Sequence, residues 1–371
     1  VTVRAPSIDV RTVGAGGGSI AYVPELTKAL RVGPQSAGAD PGPAAYLKGG
    51  EAPTVTDANV VLGYLPSDAR LGGDMEISRE LAVKAMQTIA DPLGLSVEDA
   101  AEGVIRIVNE NIVGALRLVS VEQGYDPRDF ALIGFGGAGP LHANALSRLV
   151  NAWPAIIPPG PGVLCAYGDA TTRLRNEASQ TYVARVAETS DSEIRGMLGD
   201  LHAQAARDLT AEGVQESDQD VLYQIDIRYH GQGMKLTIDS APDAFSLASV
   251  TTKFDAEHEQ LFTFALDAEH EIVGLRAVVQ GAEKQFINAE TARGGADAST
   301  ARIQPTRIYT DGAWQDGHIH DRAKLQPGNK ITGPAIVTEM DSTSVILPGH
   351  VGVVDAVGNI LIWPDGHEET R

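Results

Sequence analysis

The chain has 371 residues, 43% of them apolar, and a formal net charge of −20. That length fits two domains with full apolar cores, while the acidity excludes non-specific binding to DNA, RNA or an anionic membrane face, which needs clustered Lys and Arg. A single cysteine, Cys165, excludes an internal disulfide framework and a cysteine-rich metal site, and makes a reducing compartment, the cytoplasm, the expected location.

No apolar run reaches the ~20 residues of a membrane span. The opening VTVRAPSIDVRTV reads neither as a signal core nor as the start of a domain, so a preceding segment is expected. Residues 14–19 (GAGGGS), 33–46 (GPQSAGADPGPAAY) and 48–59 (KGGEAPTVTDAN) are dense in glycine and proline and read as ordered loops. Such loops persist where backbone lies close to a ligand or to another chain. Apolar spacing predicts a helix over 77–94 and a second from Ser96 to a stop at Gly124, with Ser96 and Asp99 as a capping pair. Ile105, Val108, Ile112, Leu116 and Val119 form its stripe, and Asn109 and Asn111 among them call for polar partners.

Residues 130–150, FALIGFGGAGPLHANALSRLV, read as a strand, a glycine turn and a helix opened by Pro140. That arrangement makes an anion site at a helix start, and Gly134, Gly136, Gly137 and Gly139 let backbone approach a ligand, a nucleotide being the one suggested. Three of these glycines also satisfy G-x-G-x-x-G, the dinucleotide fingerprint. A nicotinamide site wants an acidic residue ~20 positions on, yet none follows until Asp169.

A short strand in WPAII and a proline-glycine turn come next. Cys165 has no basic neighbour to lower its pKa, so a small buried side chain is expected. From about residue 172 the pattern becomes strands around one helix (SEIRGMLGDLHAQAARDLTAEG), then a helix near 250–264 and strands to LIWP at 360–364, placing a domain boundary near 172–180. His258 and His270 lack the spacing of a zinc helix, and His318 and His320 read as a solvated strand edge. Asp40, Asp57, His142 and Asp169 flank glycine loops and are the acid, base or metal-facing candidates; for Asp57 a helix-capping role competes.

Seven segments together resemble the hydantoinase/oxoprolinase family: IDVRTVGAGGGSIA, VGPQSAGADPGPAAY, PTVTDANVVLGYL, ALIGFGGAGPLHA, PPGPGVLCAYG, IRYHGQG and GPAIVTEMDSTSVILPG. The resemblance implies an actin-like ATPase α/β fold, shared with sugar kinases and heat-shock chaperones, over 1–175 and a carboxy-terminal α+β domain over 176–371. It implies ATP and Mg²⁺, with the metal's ligands unassigned, and an adenosine-side turn at Gly136, Gly137, Ala138 and Gly139. Gly16, Gly17, Gly18 and Ser19 are expected at the interdomain cleft, and Asp57 and His142 as catalytic candidates.

The family's upstream phosphate-gripping segments have no counterpart here, so the chain resembles the second part of the family's large subunit. The missing amino-terminal half or a partner subunit, with a hydantoinase B-like subunit, is the implied company. The implied activity is ATP-dependent hydrolysis of a cyclic amide through phosphorylation of a carbonyl oxygen. A ketone carboxylase of the acetone or acetophenone type, and a non-catalytic assembly module, are the competing readings.

Overall fold

The computed structural model describes residues 10–66, 75–282 and 294–367. It opens with an antiparallel pair, β1 (Ser19–Tyr22) and β2 (Arg31–Ser36). Residues 33–36 therefore form ladder rather than the expected loop. Three helices follow, α1 (Val55–Val61), α2 (Arg79–Leu93) and α3 (Val97–Val119). Every residue of α1 is buried, and Val61, Leu62, Met86, Ile89, Val104 and Val108 meet in one core. Each such Leu, Ile or Met contributes about 1.5–3 kcal/mol by leaving water. The Ser96 cap forms as expected: its Oγ accepts the Asp99 N–H at 3.0 Å and donates to Asp99 Oδ2 at 2.6 Å. Gly124, at φ +76°, ends the tight turn after α3.

The stretch then runs through β3 (Leu132–Ile133), α4 (Gly139–Val150), β4 (Ala155–Ile157) and α5 (Leu164–Thr171). Of the strand expected to open residues 130–150, Leu132 and Ile133 join a ladder, with β4 as their neighbour among the described residues. Cys165 is exposed, contrary to the buried side chain expected, since α5 buries none of its residues.

Residues from Gly168 to Ile287 form a compact unit of their own. Its elements are β5 (Arg175–Arg185), α6 (Asp191–Ala211), β6 (Gln219–Tyr229), β7 (Leu236–Ser240), α7 (Leu247–Phe262) and β8 (His270–Gly281). The antiparallel sheet has the order β5-β8-β6-β7. Alternate residues of β6, Tyr223, Ile225, Ile227 and Tyr229, are buried with Ile194 and Leu198 of α6 and Phe254 of α7. His258 Nδ1 lies 2.8 Å from the Phe264 carbonyl and His270 Nε2 lies 2.8 Å from Asp255 Oδ1, so both histidines are satisfied within this unit.

The chain then adds β9 (Arg302–Thr310), β10 (Ala313–Asp321), β11 (Lys330–Thr332), β12 (Ala335–Thr338), β13 (Thr343–Ile346), β14 (His350–Val354) and β15 (Ile360–Pro364). One sheet is β13-β12-β10-β9 and the other is β11-β14-β15-β4-β3. β15 pairs with β4, and Ile157, Ile360 and Ile362 share a core, so residues from Asn288 on belong with those up to Tyr167. Two consecutive stretches, 1–175 and 176–371, were expected; the ladder between β4 and β15 instead brings the end of the chain back to the first unit. β10 lies inside its sheet and His320 is buried, which corrects the solvated edge expected for HIH; His318 is exposed.

The mixed sheets and covering helices make the fold α/β. Among the described residues no helix is long and apolar enough to cross a membrane.

Candidate functional site

The turn between β3 and α4 is built around close approach on one side and open space on the other. A Cβ at Gly134 would lie 2.6 Å from the Ala143 Cβ, so glycine there lets the strand end and the helix touch. Gly136 takes φ +80° and donates its N–H to the Pro161 carbonyl at 2.7 Å. A Cβ at Gly136 would meet nothing within 4 Å, and one at Gly137 would meet only the Asp341 carbonyl at 3.8 Å. Ala138 caps α4 without a side-chain hydrogen bond. The helix start therefore presents backbone amides with no side chain of its own over them.

Two loops of the same unit brace this turn. Glu339 Oε2 accepts the Gly160 N–H at 3.2 Å, and the Ser342 hydroxyl lies 3.3 Å from the carbonyls of Gly136 and Gly137. Gly162 admits Asp341, whose Oδ2 would stand 2.7 Å from any Cβ there. Arg322 Nη2 donates to the Ile157 and Gly358 carbonyls at 3.1 and 2.7 Å. Burial pushes the Glu339 carboxyl up, against the pull of Arg322. Glu339 Oε1, Asp341 Oδ2 and Arg322 Nη1 are buried without a hydrogen-bond partner, and such groups mark a place where polar partners are wanted. GPAIVTEMDSTSVILPG carried Glu339, Asp341 and Ser342 as part of the resemblance, but no local pattern singles them out. Their signal is tertiary.

His142, in the second turn of α4, is buried and places Nδ1 2.8 Å from Asn109 Oδ1 on α3. Burial pulls the ring down to about 4, so it is neutral at pH 7. Asn109 thus finds the partner its position called for, whereas Asn111 faces solvent. His142 fastens α4 to α3 behind the turn.

Gly16 to Ser19 sit differently. The Gly17 carbonyl accepts the Thr56 N–H at 2.9 Å, the Gly18 carbonyl accepts the Ala37 N–H at 2.8 Å, and Ser19 Oγ accepts the Gly16 N–H at 2.9 Å. A Cβ at Gly17 would lie 2.7 Å from Thr56 Oγ1 and one at Gly18 2.8 Å from Ser36 Oγ. Gly17 and Gly18 let the turn close on its own unit, whereas a Cβ at Gly16 would meet nothing within 4 Å.

Asp57, fully buried, accepts from Thr54 N–H (2.9 Å), Thr54 Oγ1 (2.7 Å), Ala45 N–H (2.8 Å) and Ala44 N–H (3.3 Å). Burial raises its carboxyl and these bonds oppose the rise. Its oxygens complete the capping box of α1 and pin residues 44–45, which is the capping role that competed with the catalytic one for this residue. Asp40 and Asp169 are exposed. Among the described residues no three His, Cys, Asp or Glu side chains gather to hold a metal. Among the described residues the turn at Gly136 to Gly139 is the candidate seat taken forward, with Glu339, Asp341 and Ser342 beside it.

Comparison with known proteins gives the family. The hydantoinase/oxoprolinase family model matches residues 1–178, and the model of the family's C-terminal domain matches residues 183–360. The caprolactamase subunit alpha of Pseudomonas jessenii is 35% identical over 98% of this chain and 54% of its own length. The crystal structure of the ATP-dependent caprolactamase from that organism superposes with a TM-score of 0.88 at 33% identity, over 96% of this chain and 53% of the other. The nucleotide-free acetone carboxylase structure gives 0.73 at 26%, over 95% and 52%. The chain spans about half the length of these relatives. With both family models covering nearly all of its residues in order, the chain belongs to the hydantoinase/oxoprolinase family.

Proposed function

We propose that this chain supplies the adenosine-side wall of an ATP-dependent enzyme that opens a cyclic amide, within an actin-like ATPase architecture. The observation that carries the reading is the open turn at Gly136 and Gly137, where neither Cβ position is filled by the protein. With no Cβ on Gly136 or Gly137, a flat, uncharged base and ribose could approach the backbone there at van der Waals distance. Ser342 and Glu339 keep the turn and its neighbour Gly160 in register.

ATP, when bound, supplies a phosphoryl group to the ring carbonyl oxygen, so that water can then open the C–N bond with release of phosphate. Phosphoryl transfer needs Mg²⁺ and cationic donors around the transferred group. The described residues offer no three-ligand metal cluster, and Asp57 has its oxygens engaged by the fold. On this reading the Mg²⁺ ligands and phosphate loops come from the other half of a full-length subunit or from a partner, and a hydantoinase B-like subunit completes the assembly.

The caprolactamase relative favours a cyclic amide as substrate, and the acetone carboxylase likeness keeps ketone carboxylation as the second reading. ATP titration of the isolated chain and of its native assembly tests the proposal. Turnover with a lactam or hydantoin by the assembly, and little or none by the chain alone, is expected. Bicarbonate-dependent product from a ketone would replace it with the carboxylase reading, and an assembly that ignores ATP would make the chain a non-catalytic module.

A further inference from the structure

Away from the open turn, the first unit encloses a cleft of about 180 Å³ between α3, α4 and the hairpin that joins β9 to β10. Helical spacing lines up Glu102, Arg106, Asn109 and Glu110 on one face of α3, at i, i+4, i+7 and i+8. Arg148 comes from α4. Asp311 comes from a two-residue turn in which it and Gly312 take φ of +51° and +75°. Buried Ile105, Leu141 and Leu347 make an apolar floor.

The polar groups of this cleft are short of partners. Asn109 is 5% exposed and gives its Oδ1 to His142, while its amide nitrogen makes no hydrogen bond among the described residues. A buried amide wants an acceptor there. Glu102, Arg106 and Glu110 make no ion pair among the described residues, although their spacing invites one. Arg148 reaches Asp311 only at 3.5 Å, with both side chains exposed, a weak pair that a ligand can displace. Three carboxylates repel a lone anion, and a lone cation leaves the guanidinium groups and the amide unanswered. A nucleotide wants a larger site. An ammonium and a carboxylate on one short apolar chain answer both sets of groups and the floor between them.

We propose that this cleft binds a free amino acid, its carboxylate on Arg148 and the Asn109 amide, its ammonium on the α3 carboxylates, and its carbon chain on the apolar floor. Adding water across the C–N bond of a cyclic amide leaves a carboxylate and an amine on one chain, and the amine is protonated at pH 7, so the class that fits the cleft is the class such a reaction releases. The cleft also has a path to the turn. α4 begins at Gly139 and carries Arg148 in its last turn, and Asn109, which lines the cleft, holds His142 of the same helix. Occupancy of the cleft therefore bears on the position of α4, and the product acts back on the seat from a separate site. That purpose rests on the proposed function, whereas the recognition is read from the lining alone.

The test is calorimetric titration of the native assembly with 5-aminopentanoate, in the absence of ATP. Saturable binding is expected. Arg148→Gln, and separately the double variant Glu102→Gln/Glu110→Gln, should each weaken it about tenfold or more with the melting temperature kept. Lys84→Gln, which removes an exposed charge on α2 outside the cleft, should leave it unchanged. Pentanoate and pentylamine, with one charge each, should bind about tenfold more weakly or worse. No binding, binding that the cleft variants leave intact, or equal affinity for the singly charged analogues overturns the inference. Cleft binding in an assembly that opens no cyclic amide with ATP upholds the site and overturns the function. Cyclic-amide turnover without cleft binding does the reverse.

Discussion

The two glycine turns of the first unit share a grammar and differ in what fills the space they make. Each lies against the first residues of a helix, and each helix carries a buried titratable group near its start, Asp57 on α1 and His142 on α4. In the turn at 16–19 the missing Cβ atoms of Gly17 and Gly18 make room for Thr56 and Ser36 of the same unit, the Cβ position of Gly16 stands open, and the carbonyls of Gly17 and Gly18 are taken by Thr56 and Ala37. At 136–137 the missing Cβ atoms leave space that the chain does not use. Glycine content does not separate a turn whose neighbours fill the space beside it from one whose space stays open. What stands opposite the absent side chain does.

The comparison breaks most severely at the buried groups. Asp57→Ala leaves three backbone N–H groups and a hydroxyl without their acceptor in a buried place, and should cost about 3–5 kcal/mol of stability. Urea unfolding measures it, and a loss below about 1 kcal/mol would return Asp57 to the catalytic candidates.

His142 should govern stability between pH 4 and 6.5. Its folded pKa is depressed to about 4 by burial, against about 6.5 in the unfolded chain. The unfolded state therefore binds the proton first as pH falls, so the contribution is complete above pH 6.5 and is lost on the way down to pH 4. The span is about 3 kcal/mol, and His142→Gln should flatten that limb of the stability profile. Gly137→Val attacks the open turn alone: nucleotide affinity of the native assembly should fall about 100-fold, while the melting temperature stays put because only the Asp341 carbonyl at 3.8 Å stands nearby. Unchanged affinity would remove the seat from this turn.

Much of the architecture was legible because it is local. α2 and α3 show helical spacing, Ser96 and Gly124 punctuate α3, and the alternation in YQIDIRY gave β6 its face. The strand, glycine turn and proline-started helix around Gly136 and Gly137 were legible because they are contiguous in sequence. The return of β15 to β4 was not, since its pairing joins Ile360 to Ile157 across some two hundred residues and no periodicity encodes a partner. Glu339 and Ser342 were hidden for the same reason, and Cys165 misled because α5 has an apolar composition but no face that is buried. The turn at 16–19 drew a ligand reading because close approach of backbone to backbone and of backbone to ligand demand the same residue.

The smallest expected effect separates those two demands most cleanly. Gly17→Ala sets a Cβ 2.7 Å from Thr56 Oγ1, and Thr56 is buried, so its hydroxyl has little freedom to turn away. Overpacking of one methyl at such a site should cost about 1–2 kcal/mol. Removing the obstacle with Thr56→Ala ought to recover about 1 kcal/mol of that cost in the double variant, a coupling that a double-mutant cycle by urea unfolding can resolve. Gly137→Ala has no such obstacle and should couple to no side chain. If Gly17→Ala instead left stability intact and weakened nucleotide binding by the assembly, the first turn would be a second wall of the seat, and closure on the fold would no longer explain its glycines.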